Sequence, residues 1–289
     1  MLDYAAAGIV LYHPDYFKLK QNLEAITCQV KTVYCYNNGL GDNNIEELLN
    51  EFTNVVLIGN GTNDGLSIAI NMMASLAMTS GSTWFLTLDQ DSVCQQGMLE
   101  EFGKYTSDTS IGAICPLMVD KRRPVVDQHS GPVESVNFCI TSGCFMNLDV
   151  FQKIGKLDEY LFIGLIDNDY CHRLKVHGFE ILRINNMELD HELGNLTPSR
   201  FSKVYLFLGE LLKSEKIKAL SYKRSVSPLR VYYSTRNIVY LSKKYPNDAV
   251  QEFSKVYAIK NGLSNVVRGQ DKIKILKAFI KGYNDGVKH

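Results

Sequence analysis

Between residues 5 and 88, short apolar runs alternate with amphipathic stretches, and this alternation restricts the fold more than any other feature of the chain. The runs "AAGIVLY" (6–12), "KTVYCY" (31–36), "NVVLIG" (54–59) and "STWFLTL" (82–88) read as buried strands. Between them, "DYFKLKQNLEAITCQ" (15–29), "NNIEELLNEF" (43–52) and "GLSIAINMMASLAMT" (65–79) read as helices, the first opened by Asp15 as a cap after Pro14. Consecutive βα units need parallel strands joined by right-handed crossovers. The expectation is an α/β fold with a doubly wound, mostly parallel sheet whose ligands bind at the carboxyl ends of the strands.

Past residue 110 the alternation weakens. "IGAICPLMV", "ITSGCFMNL", "FEILRIN" and "MELDHEL" read as strands, "DVFQKIG" as a short helix, and "DNDYCHRLKVHG" as a helix ending at Gly178. From Arg200 onward, "FSKVYLFLGELLKSEKIKAL", "PLRVYYSTRNIVYLSKKY", "DAVQEFSKVYAIKNGL" and "KIKILKAFIKGY" carry apolar residues at three- and four-residue spacing, a helical extension. Charge divides at the same place. The chain is formally neutral, yet residues 1–199 carry a net charge of −13 and residues 200–289 one of +13. The expected organisation is a large domain over 1–199, in two parts (1–110 and 111–199), followed by a basic helical region over 200–289. A basic segment of this kind serves nucleic acid, an anionic membrane surface, or solvent alone.

The seven cysteines are scattered with no C-x-x-C pair, which argues against a zinc ribbon or a disulfide framework and suits a reducing cytosol. The amino terminus "MLDYAAAGIVLYHPD" has an acidic residue where a signal peptide carries basic ones, and no apolar stretch approaches the roughly 18 residues of a membrane span. The expected location is cytoplasmic, with the basic segment available to the inner face of the cell membrane.

The strand "WFLTL" runs directly into Asp89 and Asp91, separated by one residue. If the strand stays extended, side chains two apart share a side and both carboxylates address one volume. Like charges so placed suit a hard cation. Mg²⁺ or Mn²⁺, completed by substrate phosphates, fits better than an all-protein calcium cage. A solvated turn is the alternative for the same residues.

Taken with "GIVLYHPD", "YNNG" (36–39) and "GNGTNDGLSIAIN" (59–71), "WFLTLDQDS" resembles the first half of glycosyltransferase family 2, whose nucleotide-binding GT-A fold carries a D-x-D motif on its fourth strand. "LTLDQDS" resembles the bacterial rhamnosyltransferase branch in particular. The likeness continues through "TSGCFMN" (141–147), "LFIGLIDNDYCHRLKVHGF" (161–179), "LDHELG" (189–194) and "YYSTRN" (232–237).

The resemblance implies the following roles. Tyr12, Pro14 and Asn37 fall where the family holds the nucleobase, with Asn37 replacing the usual Asp; an amide still accepts from an imide N–H. Asn63, Asp64 and Gly65 fall at the ribose or base. Asp89 would contact the ribose or the metal's hydration shell, Asp91 would ligate the metal at the diphosphate, and His191 would be a further metal ligand. Asp167 corresponds to the acceptor-side general base. Asp169 stands where relatives carry Glu, and Gly164 where many rhamnosyltransferases carry Asp.

The expected activity is inverting, metal-dependent transfer of L-rhamnose from dTDP-L-rhamnose to a sugar on a lipid-linked oligosaccharide, in the synthesis of a bacterial surface polysaccharide such as O-antigen or capsule. Sugar nucleotides, rather than nucleic acid, are the expected partners. The alternatives are another sugar from a UDP donor, or a sugar-nucleotide-binding subunit without catalysis. A nucleotidyltransferase would need a Gly-rich basic loop after the first strand, which "GIVLYHPD" lacks.

Overall fold

The computed structural model describes residues 1–41, 44–119, 131–190, 196–199, 201–212, 214–218, 221–224, 227–246, 250–269 and 271–289. The chain divides into two compact units, Met1–His191 and Glu192–His289.

The first unit begins with β1 (Leu2–Leu11), α1 (Tyr16–Ile26), β2 (Val30–Asn37), α2 (Asn44–Asn50), β3 (Val55–Ile58), α3 (Leu66–Thr79) and β4 (Trp84–Leu88). Asp15 caps α1 as expected, its carboxylate accepting from the Lys18 N–H at 3.0 Å. There follow β5 (Val93–Cys94), α4 (Met98–Gly103), β6 (Ile111–Val119), β7 (Val133–Val136), β8 (Cys144–Asn147), α5 (Leu148–Ile154), α6 (Ile166–Val176) and β9 (Glu180–Asp190).

The strands form one sheet in the order β3-β2-β1-β4-β8-β6-β9-β5, with β7 paired to β9. The first four strands are parallel. Beyond β4 the sheet becomes mixed, because β8 runs antiparallel to both β4 and β6 while β6 and β9 are parallel. The segments expected as two strands, "FEILRIN" and, as far as it is described (187–190), "MELDHEL", belong to one strand, β9. It follows β6 with a register shift between Pro116 and Leu117, whose partners are Ile184 and Glu188. The bulge takes up the extra residues without ending the strand.

Side-chain alternation along β1 explains the two helical layers. Ala5, Ala7, Ile9 and Leu11 share a core with Leu19, Leu23 and Ile26 of α1, Ile45 and Leu48 of α2, and Phe102 of α4. The intervening residues face α3. There Gly8 sits so close that an added Cβ would lie 2.3 Å from Phe85 and 3.1 Å from Met73. Gly8→Ala would overpack this contact, at a cost of about 1–3 kcal/mol.

Strand order positions the site. From β1 the chain steps outward to β2 and β3, then returns across β1 to place β4 on its other side. The connections part above the carboxyl ends of β1 and β4, opening the crevice where doubly wound sheets bind ligands.

The second unit holds β10 (Leu196–Pro198), α7 (Ser202–Leu211), α8 (Glu215–Lys218), β11 (Tyr222–Arg224), α9 (Pro228–Lys244), α10 (Lys255–Arg268) and α11 (Lys272–Lys288), with β10 antiparallel to β11. Pro228 at the first position of α9, Ser254 capping α10 and Asp271 capping α11 fix the helix starts. Gly282 and Gly286 let α11 meet α9 closely: a Cβ there would lie 2.4 Å from the Tyr232 carbonyl oxygen and 2.6 Å from that of Arg236. Arg236 itself is buried, stacked on Tyr233 and donating to the Asn237 side-chain oxygen at 2.9 and 2.8 Å, so this pair from "YYSTRN" is committed to holding the unit together.

Candidate active site

The D-x-D lies at the β1/β4 crevice, but not on an extended strand. β4 ends at Leu88, and the Ser92 N–H donates to the Asp89 carbonyl at 3.1 Å, so Asp89–Ser92 is a turn. The expectation of two carboxylates aligned by strand geometry is corrected here: the turn leaves Asp89 partly buried and Asp91 exposed.

The turn is pinned from three sides. The Asn22 amide donates to the Asp89 carbonyl at 2.7 Å, and the Asp89 N–H donates to the Ser142 hydroxyl oxygen at 3.0 Å. Gln90 reaches across the crevice. Its side-chain oxygen accepts from the Tyr12 N–H at 2.9 Å, and its amide donates to the Tyr12 carbonyl at 3.1 Å. Gln90 thereby extends the β1–β4 pairing by one side-chain bridge past the end of the strands, and leaves the Tyr12 ring half exposed at the mouth.

Of the expected base-binding residues, Tyr12 and Asn37 are linked through Gly39. Gly39 packs beneath it, with the Tyr12 ring 3.3 Å from where a Cβ would stand. The Gly39 N–H donates to the Asn37 side-chain oxygen at 3.1 Å, an Asx turn, so one lone-pair site of Asn37 is already used. Pro14 is partly buried immediately before the cap of α1. Asn38, which the sequence did not single out, is buried and ties the end of β2 to the next loop: its amide donates to the Asn63 side-chain oxygen at 2.9 Å, and its own oxygen accepts from the Asp64 N–H at 2.7 Å.

Asp64 accepts from the Tyr36 hydroxyl at 2.7 Å. Burial first, and then this hydrogen bond, push the Tyr36 phenol up to about 12. Gly65 has φ +87° and lies against Phe162, whose ring and carbonyl would stand 2.5 and 2.8 Å from an added Cβ. The Leu66 N–H donates to that Phe162 carbonyl at 2.8 Å, and the Ser67 hydroxyl donates to the Leu161 carbonyl at 2.7 Å. These bonds dock the loop carrying Asn63, Asp64 and Gly65 onto the segment that leads to Asp167.

Two consecutive left-handed residues, Gly164 (φ +79°) and Leu165 (φ +64°), turn that segment into α6, placing Asp167 in its first turn. A non-glycine residue in this region is strained, which is common where a functional side chain is being aimed. Asp167 is partly buried and accepts from the Asn168 N–H at 3.0 Å. Burial is the largest influence on it and pushes its carboxyl up to about 6; the nearby Asp89 charge pushes the same way, against the backbone N–H groups. The amino terminus of α6 favours the ionised form. Desolvation outweighs it. Asp167 lines a small cavity with Thr87 of β4 and Thr141, so the first turn of α6 lies beside the end of the strand that leads into the D-x-D turn.

Asp169, two residues on, is buried and paired with the Arg173 Nε at 2.9 Å, while Arg173 also holds the Ile154 and Gly155 carbonyls. That carboxylate belongs to the helix-packing network. His191 lies outside the described residues.

The donor set fits a hard divalent cation held partly by substrate. Asp89 and Asp91 supply carboxylate oxygens, and Asp91 has no partner among the described residues. No group of three or more His, Cys, Asp or Glu able to hold a metal occurs among those residues. One or two carboxylates completed by diphosphate oxygens and water are how Mg²⁺ and Mn²⁺ sites are commonly built.

Residues 18–155 match the family Glycosyl transferase family 2. Over 303 aligned positions, covering 98% of the chain and 95% of the relative, the protein is 23% identical to the dTDP-rhamnosyl transferase RfbF of Shigella flexneri. Among solved structures it is similar to S. aureus TarS in complex with UDP-GlcNAc, with a TM-score of 0.60, 11% identity, and coverage of 99% of this chain and 81% of that one. It is also similar to GalNAc-T7 with UDP, GalNAc and Mn²⁺, with a TM-score of 0.57 and 12% identity; 92% of this chain is matched, spanning 57% of the GalNAc-T7 chain.

Proposed function

We propose that the protein, a GT-A fold whose residues 18–155 match Glycosyl transferase family 2, is an inverting, metal-dependent transferase moving L-rhamnose from dTDP-L-rhamnose to a sugar on a lipid-linked oligosaccharide. The observation that carries this reading is that Asp167 lines a small cavity with Thr87, next to the end of the strand that leads into the Asp89–Ser92 turn. The near full-length likeness to a dTDP-rhamnosyl transferase supports the donor.

In this reading Tyr12, Pro14 and Asn37 receive the nucleobase, and Asn63, Asp64 and Gly65 border the ribose. Asp89 and Asp91 would hold Mg²⁺ or Mn²⁺, whose chemistry when bound is Lewis-acid stabilisation of charge on the departing diphosphate. Asp167 faces the acceptor. The acceptor hydroxyl oxygen attacks the anomeric carbon, its proton passes to the Asp167 carboxylate, and the bond to the diphosphate breaks with its electron pair leaving on dTDP. A carboxyl raised to about 6 is mostly ionised at neutral pH, yet basic enough to take that proton. Residues 1–110 then serve the donor and 111–199 the acceptor.

The UDP-GlcNAc of the TarS complex and the UDP of the GalNAc-T7 structure support a second reading, the same chemistry with a UDP donor. Thermal shift with Mn²⁺ and a panel of dTDP- and UDP-sugars separates the two. A bound donor stabilises the fold by about 2.7 kcal/mol at a hundredfold excess over Kd. Stabilisation by dTDP-L-rhamnose beyond that by UDP-sugars supports the first reading, and the reverse order supports the second.

A further inference from the structure

Helices α10 and α11 repeat one surface design. On α10, Val256, Ile259, Leu263 and Val267 recur at three- and four-residue spacing, forming one stripe, and each is between 42 and 73% exposed. On α11, Ile273, Leu276, Ile280 and Val287 form a like stripe and are 40 to 69% exposed. Lysines border both. Helical spacing sets Lys255 to one side of the α10 stripe and Lys260 to the other; on α11 it sets Lys272 to one side and Lys274, Lys277, Lys281 and Lys288 to the other. The opposite faces are inward: Ala258, Gly262, Ile275, Gly282 and Gly286 are buried, with Gly262 against Phe279 and the two last glycines against α9.

We propose that this face lies on an anionic lipid bilayer, its aliphatic stripes entering the headgroup boundary and its lysines reaching lipid phosphates. Exposed aliphatic residues bordered by cations match the two layers of such a surface. Lys277, Lys281 and Lys288 line a shallow recess on α11 together with Ile280, which sets cationic heads beside an apolar floor. Among the described residues, Asp271 meets Lys274 at 3.0 Å, and Asp285, which also lines the recess, meets Lys288 at 3.4 Å, so the lysines of the row outnumber the acids beside it. A second copy of the chain fits worse, because a two-fold contact through this face sets lysine rows against each other. Nucleic acid would use the lysines and leave the aliphatic stripes in water. None of the helices in the described residues is long and apolar enough to cross a membrane, so the chain would rest on the bilayer rather than span it.

The inference stands on the second unit alone and does not depend on the transferase reading. The full chain is sedimented with phosphatidylcholine vesicles with and without phosphatidylglycerol, at low and high salt, while donor binding is followed separately by thermal shift. The expected result is binding to the anionic vesicles only, weakened by salt. It should be weakened at least about tenfold in Lys277→Glu/Lys281→Glu, whose two charge reversals face the lipid, and also in Leu263→Ser/Ile280→Ser, with donor binding unchanged in both. Failure of the parent chain to bind anionic vesicles at low salt overturns the proposal. So does binding that ignores both double variants, self-association lost with the same substitutions, or a preference for nucleic acid. Loss of donor binding alone would instead count against the transferase reading.

Discussion

The Asp89–Ser92 turn and the first turn of α6 both carry carboxylates close to the end of β4, and they are built in opposite ways. Asp91 stands exposed on a turn whose backbone is fixed by Asn22, Ser142 and, through Gln90, by Tyr12. Asp167 is partly buried behind two left-handed residues, and its carboxyl is pushed up to about 6. The contrast teaches how one site can use carboxylates for two kinds of work. An exposed carboxylate on a rigid turn is open to a cation, whereas a desolvated one is tuned toward accepting a proton.

The sharpest way to break this comparison is to remove one charge at a time. Asp91→Asn should reduce transfer at least about a thousandfold, since metal assistance to a leaving group supplies several kcal/mol; full activity in a steady-state assay would remove the cation role from the turn. Asp167→Asn preserves shape but cannot take a proton, and turnover at saturating donor should fall by roughly 10²–10⁴. If Asp169→Asn produced that loss without unfolding the chain, the base would have been assigned to the wrong carboxylate. The pairing of Asp169 with Arg173 argues instead that its substitution is chiefly a stability defect.

Gln90→Ala probes the scaffold rather than the charges. Two hydrogen bonds to the Tyr12 backbone are lost, each worth about 0.5–1.5 kcal/mol, so donor affinity should weaken on the order of tenfold with turnover at saturation little changed. An unchanged donor Kd would mean that the Tyr12 loop holds its place without Gln90.

The smallest effect is on stability. The Asp167 carboxyl stands at about 6 in the fold against an unshifted 3.8, so the folded state binds its proton more tightly than the unfolded state. Stability from this group is therefore lost as pH rises from about 4 to about 6, and above that the ionised form is a fixed cost of at most about 3 kcal/mol. Asp167→Asn should raise the melting temperature at pH 8, with the advantage vanishing below about pH 4. Equal melting curves at pH 8 would indicate that the parent carboxylate is well solvated.

Much of this was legible in the sequence because it is local. The run into Asp89, the Asp15 cap, the helix opening at Ile166 and the glycine-rich loop before α3 are each written in adjacent residues. What escaped lies in contacts between distant residues. Gln90 and Tyr12 are 78 positions apart, and nothing in "LDQDS" signals that the middle residue crosses the crevice. The short strands β5 and β7, of two and four residues, exist by pairing with β9 and carry too little periodicity to announce themselves. The bending of Asp89–Ser92 into a turn likewise depends on Asn22 and Ser142, which reach it from other elements. The ionisation of Asp167 followed burial, which a helix-start pattern does not encode.

The division of labour between the two carboxylates is tested most directly by the dissociation constant of dTDP-L-rhamnose in the presence of Mn²⁺, measured by calorimetry for the parent, Asp91→Asn and Asp167→Asn. The account predicts donor affinity at least about tenfold weaker in Asp91→Asn and within about twofold of the parent in Asp167→Asn. Collapse of donor binding in Asp167→Asn, with affinity retained in Asp91→Asn, would contradict it.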